Sequence, residues 1–290
     1  MTKLSPAIRC STSSPGAAFV QRLARLGLKR GLARLAAGIG REVPVQCGKV
    51  SLMLDLRRPH ERHLFLGFEE PEVIALFERM LRPGDIAIDV GANIGFHAAL
   101  MANLVGAAGR VYAFEPNPAL RARLNYMANH NPFENITLVQ SAASDEDGHG
   151  LLQVSSVHGL SSLRTDWNPG TTVRRERVRT IRLDRFIAER EMTAVKLVKV
   201  DVEGHEAAVF RGLTKTVERR LVKSFVFELT PPNHPAYSAR STDEILLALE
   251  SAGYSFWALK QGSKLPRSKI LEDPRLLAPG FNIAAMREPL

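Results

Sequence analysis

One stretch constrains the fold more than any other: Asp85 to His97, DIAIDVGANIGFH. Ile86, Ile88 and Val90 alternate with Asp85, Ala87 and Asp89, and the run then breaks into Gly91, Ala92, Asn93, Ile94 and Gly95 before a helical pattern begins. That is a buried strand turning tightly into a helix. Glycines at such a turn let backbone N–H groups approach a ligand. A carboxylate at the strand's end can accept hydrogen bonds from ligand hydroxyls or an amine.

The strand-then-helix pattern repeats. Apolar runs at Val111–Phe114, Ile136–Ala142, Val195–Val202 and Phe225–Leu229 each precede a helical segment or a polar turn, and two further strands are predicted at Tyr254–Leu259 and Phe281–Met286. Such repetition implies a doubly wound α/β sheet, seven-stranded and mostly parallel, with the last two strands forming an antiparallel edge. Residues 155–163 and 174–182 lack helical period and read as an insertion. Upstream, alternation over residues 43–56 predicts a short hairpin, and Phe65–Leu81 a helix that ends at Pro83-Gly84. Glu69, Glu70 and Glu72 sit at the start of that helix, where acids suit the dipole, although Glu69 or Glu70 could also reach a ligand at the cleft. The expected organisation is a basic N-terminal extension over residues 1–43 and one domain over 44–290.

Charge matters mainly for what it excludes. The chain carries a formal +9, yet residues 1–50 hold nine Lys or Arg against Glu42 alone, so nearly all the excess belongs to the leader. The main domain therefore lacks the basic footprint of a nucleic-acid binder. Residues 1–16 are rich in Ser, Thr and Pro and read as disordered. Residues 17–37 form an imperfectly amphipathic basic helix, read as packing on the domain, as a membrane-surface or partner-docking element, or as a transit segment. Cys10 and Cys47 have no partners for a disulfide framework or a thiolate metal site, so they read as reduced thiols of a cytoplasmic protein. No run is long and apolar enough to cross a membrane.

Glu115 closes the second strand 24 residues beyond Gly91, where a parallel βαβ unit places an acid against the two hydroxyls of a ribose. Pro116 follows it. Asp145, just after Ala143, follows the third strand and is a candidate acceptor for an adenine amino group, or a simple turn acid. The fourth strand opens into Asp201-Val202-Glu203-Gly204-His205-Glu206, a cluster at a strand's carboxyl end, where open α/β sheets bind ligands. Asp201, Glu203 and His205 are the candidates for general base or acceptor-positioning group, in that order, with helix N-terminal stabilisation as the plainer role for Glu203 and Glu206. The spacing matches no dedicated metal motif, so no metal is expected. The turn lacks the third glycine of a dinucleotide fingerprint, which disfavours a nicotinamide-dependent oxidoreductase. That enzyme and a non-catalytic membrane or partner module remain the alternatives.

These residues resemble the S-adenosylmethionine-dependent methyltransferases of the FkbM type. The resemblance rests on DVGANIGFH at 89–97, VYAFEPNP at 111–118, SAASD at 141–145, VKLVKVDVEGHEAAVFRGL at 195–213 and FNIAA at 281–285, and covers residues 69–286. It implies a Rossmann-like class I methyltransferase fold and S-adenosylmethionine as cofactor. Asp89, Gly91, Ala92, Asn93 and Gly95 would surround its methionine portion, with Glu115 and Pro116 at the ribose and Ala143 and Asp145 near adenine. It further implies O-methylation of a hydroxyl on a sugar, glycolipid or small natural product. His97 departs from the residue expected at its position and receives no role.

Overall fold

The computed structural model describes residues 10–14, 17–18, 32–39, 42–66, 70–132, 134–156, 159–167, 169–230, 234, 237–277 and 281–287. Most of the basic helix expected over 17–37, and Glu69, lie outside the described residues.

The chain begins with β1 (Cys10–Ser11), α1 (Leu32–Ile39) and the expected hairpin, β2 (Val43–Cys47) and β3 (Val50–Leu54). The helical pattern through Leu81 is two helices, α2 (Pro59–Leu66) and α3 (Pro71–Met80). Pro71 opens α3 because a proline suits the first helical turn but not a helix interior. The alternating units follow: β4 (Ile86–Val90), α4 (Phe96–Val105), β5 (Arg110–Phe114), α5 (Arg121–Asn129) and β6 (Ile136–Val139). Next come β7 (Ala142–Ala143), β8 (Gly148–Ser155), β9 (Thr172–Ile181), α6 (Leu183–Glu189), β10 (Val195–Val200), α7 (Glu206–Arg211) and α8 (Thr214–Glu218). The chain closes with β11 (Val222–Phe227), α9 (Ala239–Ser251), β12 (Ser255–Ala258), β13 (Ser263–Leu265), α10 (Arg267–Glu272) and β14 (Ile283–Met286).

Among the described residues the main sheet runs β13-β12-β14-β11-β10-β4-β5-β6. β6, β5, β4, β10 and β11 are mutually parallel. Both faces of this core are covered, which is why β4, β10 and β11 are nearly continuous apolar runs.

Four expectations change. The sheet has eight strands rather than seven, because Gly262, at φ 62°, lets residues 258–263 double back and pair Ser263–Leu265 with β12. The last strand is internal, not at an edge: β14 inserts antiparallel between β11 and β12, and all four of its residues are buried. The third strand stops at Val139, and the inserted region is a hairpin of β8 and β9 that pairs with β7 in a second, three-stranded sheet. Its buried face is Leu152, Val154 and Val178, packed on Leu163.

The cysteines are the fourth change. Antiparallel pairing of β1 with β2 sets Cys10 opposite Cys47, and the two are joined as a disulfide. Residues 10–11 are thus ordered against the hairpin, and the free-thiol argument for a reducing compartment falls away. No helix among the described residues is long and apolar enough to cross a membrane. Closing a loop of 37 residues contributes about 3–4 kcal/mol in the chain-entropy treatment. Blocked-thiol mass spectrometry should find both cysteines paired, and dithiothreitol should lower the unfolding midpoint of the wild type but not that of Cys10→Ser/Cys47→Ser.

Candidate active site

The site sits where the order of the parallel strands reverses. β4 lies between β5 and β10, and Val90 is level with Phe114 on one side and Val200 on the other, so three strands end together. Their connections leave in opposite directions and open a crevice. A cavity of about 370 Å³ fills it, lined by Gly91, Asn93, Glu115, Pro116, Ala143, Asp201, Glu203 and His205 among others. Eight residues singled out in the sequence therefore meet at one cleft. Asp89, Ala92 and Gly95 lie just outside its lining. Asp145 also stands outside, its carboxylate 2.9 Å from the Arg211 guanidinium.

The glycine turn is shaped by crowding. Gly91 has φ +86°, and a Cβ there would lie 1.8 Å from the Asp201 carbonyl oxygen. Only glycine combines that conformation with that approach. Asn93 is also left-handed, at φ 54°. Its backbone N–H donates to Glu115 Oε2 at 2.9 Å, while the Asn117 N–H donates to Glu115 Oε1 at 2.8 Å. Those bonds fix the carboxylate between the first and second strands. Burial pushes its pKa up to about 7 despite them. Each oxygen keeps a lone pair for a ligand hydroxyl.

Beneath the cleft lies a polar cluster that pattern reading did not assemble. Asp89 is 1% exposed and faces the Ala98 backbone N–H, with no side chain hydrogen-bonded to its carboxylate. Burial raises its pKa to about 6, against the pull of Lys199. Lys199, level with Asp89 across the β10–β4 pair, is 2% exposed and sets its ammonium 2.7 Å from Asp201 Oδ2. Burial would lower the pKa of Lys199, but Asp201, Asp89 and Glu70 together raise it. Glu70 stands at the N-cap of α3, but its side chain makes no capping hydrogen bond. It accepts from Asn282 Nδ2 at 2.5 Å and lies 3.3 Å from His97 Nε2. Burial above all, then Lys199 and His60, hold His97 neutral. Two signals could have found this cluster: a lysine inside the β-branched run of β10, and an asparagine opening the buried strand β14.

The turn after β10 is the second wall. Glu203 adopts φ 54°, a conformation rare for a residue with a Cβ. Burial, then Asp201, Glu206 and Glu228, push its pKa well above the usual range. Glu206 Oε1 accepts from the N–H groups of Gly204 at 3.1 Å and Val202 at 3.3 Å, so this acid stabilises the turn itself. Burial takes Glu206 up to about 7 and His205 down to about 4; His205 Nε2 is 3.0 Å from Ser144 Oγ. Trp167, from the insertion, lies flat over Gly204, where a Cβ would be 2.3 Å from its ring, and it stacks on His234 at 3.9 Å. His60 and His63 of α2 also line the cavity. No local pattern singles out Trp167 or these two histidines.

A reversed-order parallel sheet with an internal antiparallel last strand, a glycine turn after its first core strand and an acid ending the next define a Rossmann-like class I methyltransferase fold. The methyltransferase FkbM domain matches residues 89–256, and the chain belongs to that family. The hexuronic acid methyltransferase AglP of Haloferax volcanii is 30% identical over 149 residues, covering 51% of this chain and 58% of that protein. The 31-O-demethyl-FK506 methyltransferase FkbM of Streptomyces tacrolimicus is 32% identical over 164 residues, covering 46% and 61%. The chain thus spans less than two thirds of these curated relatives. A solved S-adenosylmethionine-dependent methyltransferase from Aquifex aeolicus superimposes with a TM-score of 0.40 at 16% identity, covering 75% of this chain and 89% of that one.

Glu115 and Glu206 retain protons in the folded state that the unfolded chain has lost above pH 4.5. These two carboxyls lower stability as pH rises from about 4.5 to 7, and together they outweigh His205, whose lowered pKa adds stability with pH over the lower part of the same window. Thermal unfolding across this window checks it, and Glu206→Gln should flatten the slope.

Proposed function

We propose that this protein transfers a methyl group from S-adenosylmethionine to a hydroxyl of a sugar or small natural product. The observation that carries the reading is a single cavity with Glu115 in one wall and Asp201 and Glu203 in another. The residues fit the cofactor. Asp89 offers a buried carboxylate that no protein side chain hydrogen-bonds, suited to the cofactor's ammonium group. Asn93 and Gly91 bring backbone close to it, and Glu115 has acceptor capacity for the ribose hydroxyls. The apolar wall of Phe114, Ala143, Leu152 and Leu163 suits an adenine ring. The relatives named for a hexuronic acid and for the 31-O position of demethyl-FK506 support an oxygen acceptor.

When bound, S-adenosylmethionine would supply a methyl group on a positively charged sulfur, which makes that sulfur a good leaving group. The chain's own task is to align the acceptor and take its proton. Among the three candidates, burial makes His205 a weak base and Ser144 already holds its Nε2, while burial and neighbouring acids favour the protonated form of Glu203. Asp201 is the carboxylate that receives the proton at Oδ1, since Oδ2 is engaged by Lys199.

Calorimetry with S-adenosylmethionine and with NADH tests the cofactor: the first should bind and the second should not, and the opposite result overturns the reading. Glu115→Ala should weaken S-adenosylmethionine about 10- to 100-fold, the range for losing charge-assisted hydrogen bonds. Labelled cofactor with a panel of uronic-acid glycosides, glycolipids and hydroxylated macrolides identifies the acceptor, and Asp201→Asn should lower transfer at least about 100-fold.

A further inference from the structure

Lys199 is a full positive charge on a strand that is otherwise core. Its neighbours in β10, Val198 and Val200, are fully buried, and it is 2% exposed itself. Burying an ammonium is costly unless it is paired, so a lysine here needs a task that its partners define. Those partners are three carboxylates on three different elements: Asp201 at the end of its own strand, Asp89 level with it on β4, and Glu70 before α3. The partners are not equivalent. Lys199 Nζ makes a 2.7 Å hydrogen bond to Asp201 Oδ2, whereas Glu70 is engaged by Asn282 and Asp89 interacts with the ammonium only through its charge. The ammonium is thus committed to Asp201, the one carboxylate of the three that lines the cavity.

Asp201 needs such a restraint. It is half-exposed, its backbone carbonyl is pressed against Gly91, and the carboxyl of Asp89 stands on the adjacent strand. Without a cation beneath it, repulsion from Asp89 and the pull of solvent would swing the side chain away from the cleft.

We propose that Lys199 is a positioning residue for methyl transfer: by fixing Asp201 Oδ2 from below, it holds Oδ1 in the cavity for the hydroxyl that accepts the methyl group. The proton lost by that hydroxyl passes to Asp201 as the O–C bond forms and the S–C bond breaks with its pair returning to sulfur. Lys199 itself neither gains nor loses a proton. This rests on the methyltransferase reading above.

The test compares wild type, Lys199→Met, Lys199→Arg, Asp201→Asn and Lys199→Met/Asp201→Asn, each first checked for cooperative thermal unfolding. With the acceptor selected by the labelled panel, Lys199→Met should lower kcat about 100-fold while the KM for S-adenosylmethionine stays within about threefold, and Lys199→Arg should restore most of kcat. The double variant should be no slower than Asp201→Asn alone, because Lys199 acts through Asp201. That comparison holds even where Lys199→Met does not fold, since the double variant removes both charges. Crystal structures should show the Asp201 carboxylate in place in Lys199→Arg and displaced in Lys199→Met. Wild-type kcat in Lys199→Met, or a double variant much slower than Asp201→Asn, overturns the proposal while leaving the methyltransferase reading intact. A wild type that binds no S-adenosylmethionine, or labels nothing in the panel, overturns both.

Discussion

The approach of two backbone turns controls the rest of the site. β4 and β10 run parallel and in register, and the Asp201 N–H donates to the Val90 carbonyl at 2.9 Å, so the chains leaving both strands start from the same level. The Asp201 carbonyl then occupies the space where any side chain on residue 91 would begin. Glycine at 91 is thus a packing requirement of the two strands. It lets the turn after β4 reach Glu115 and the turn after β10 close the other wall.

Electrostatically the cleft holds more acid than base. Asp89, Glu70 and Asp201 gather around the buried Lys199, Glu203 and Glu206 lie in the turn beyond Asp201, and desolvation is the main reason that the pKa values of Asp89, Glu70, Glu203 and Glu206 are raised. Low dielectric makes such a cluster costly when every member is ionised. A cationic ligand relieves that cost in the same way as protons do. The charge pattern therefore favours a positively charged cofactor over a pyrophosphate, in agreement with the short glycine turn.

Elements outside the parallel core close the cavity. The β8–β9 hairpin contributes Leu152, and the segment that follows it contributes Leu163 and lays Trp167 over Gly204. At the opposite side, α2 brings His60 and His63 to the lining. That helix is tied to α5 by an ion pair in which Arg123 donates to Glu61 and, through the same guanidinium, to the Met53 carbonyl. Such pairs define a relative position more than they add stability. The disulfide adds β1 to the same hairpin layer.

Local pattern by itself determined the alternating α/β class, the glycine turn, the acid Glu115 after β5 and the acid-rich turn at 201–206, because each is a short-range signal of strand, turn and helix. The family resemblance added the cofactor. Tertiary structure decided what depends on distant residues meeting. It placed β14 inside the sheet, since its burial comes from β11 and β12 rather than from its own four residues. It paired Cys10 with Cys47 across strands that read separately as disorder and hairpin. It turned Asp145 toward Arg211, 66 residues away, and brought Asn282 to Glu70, 212 residues apart. Lys199 shows the division most clearly. Its sequence position marks it only as a polar interruption in an apolar strand, and its partnership with Asp201 follows from β4 and β10 ending level, which no local pattern records.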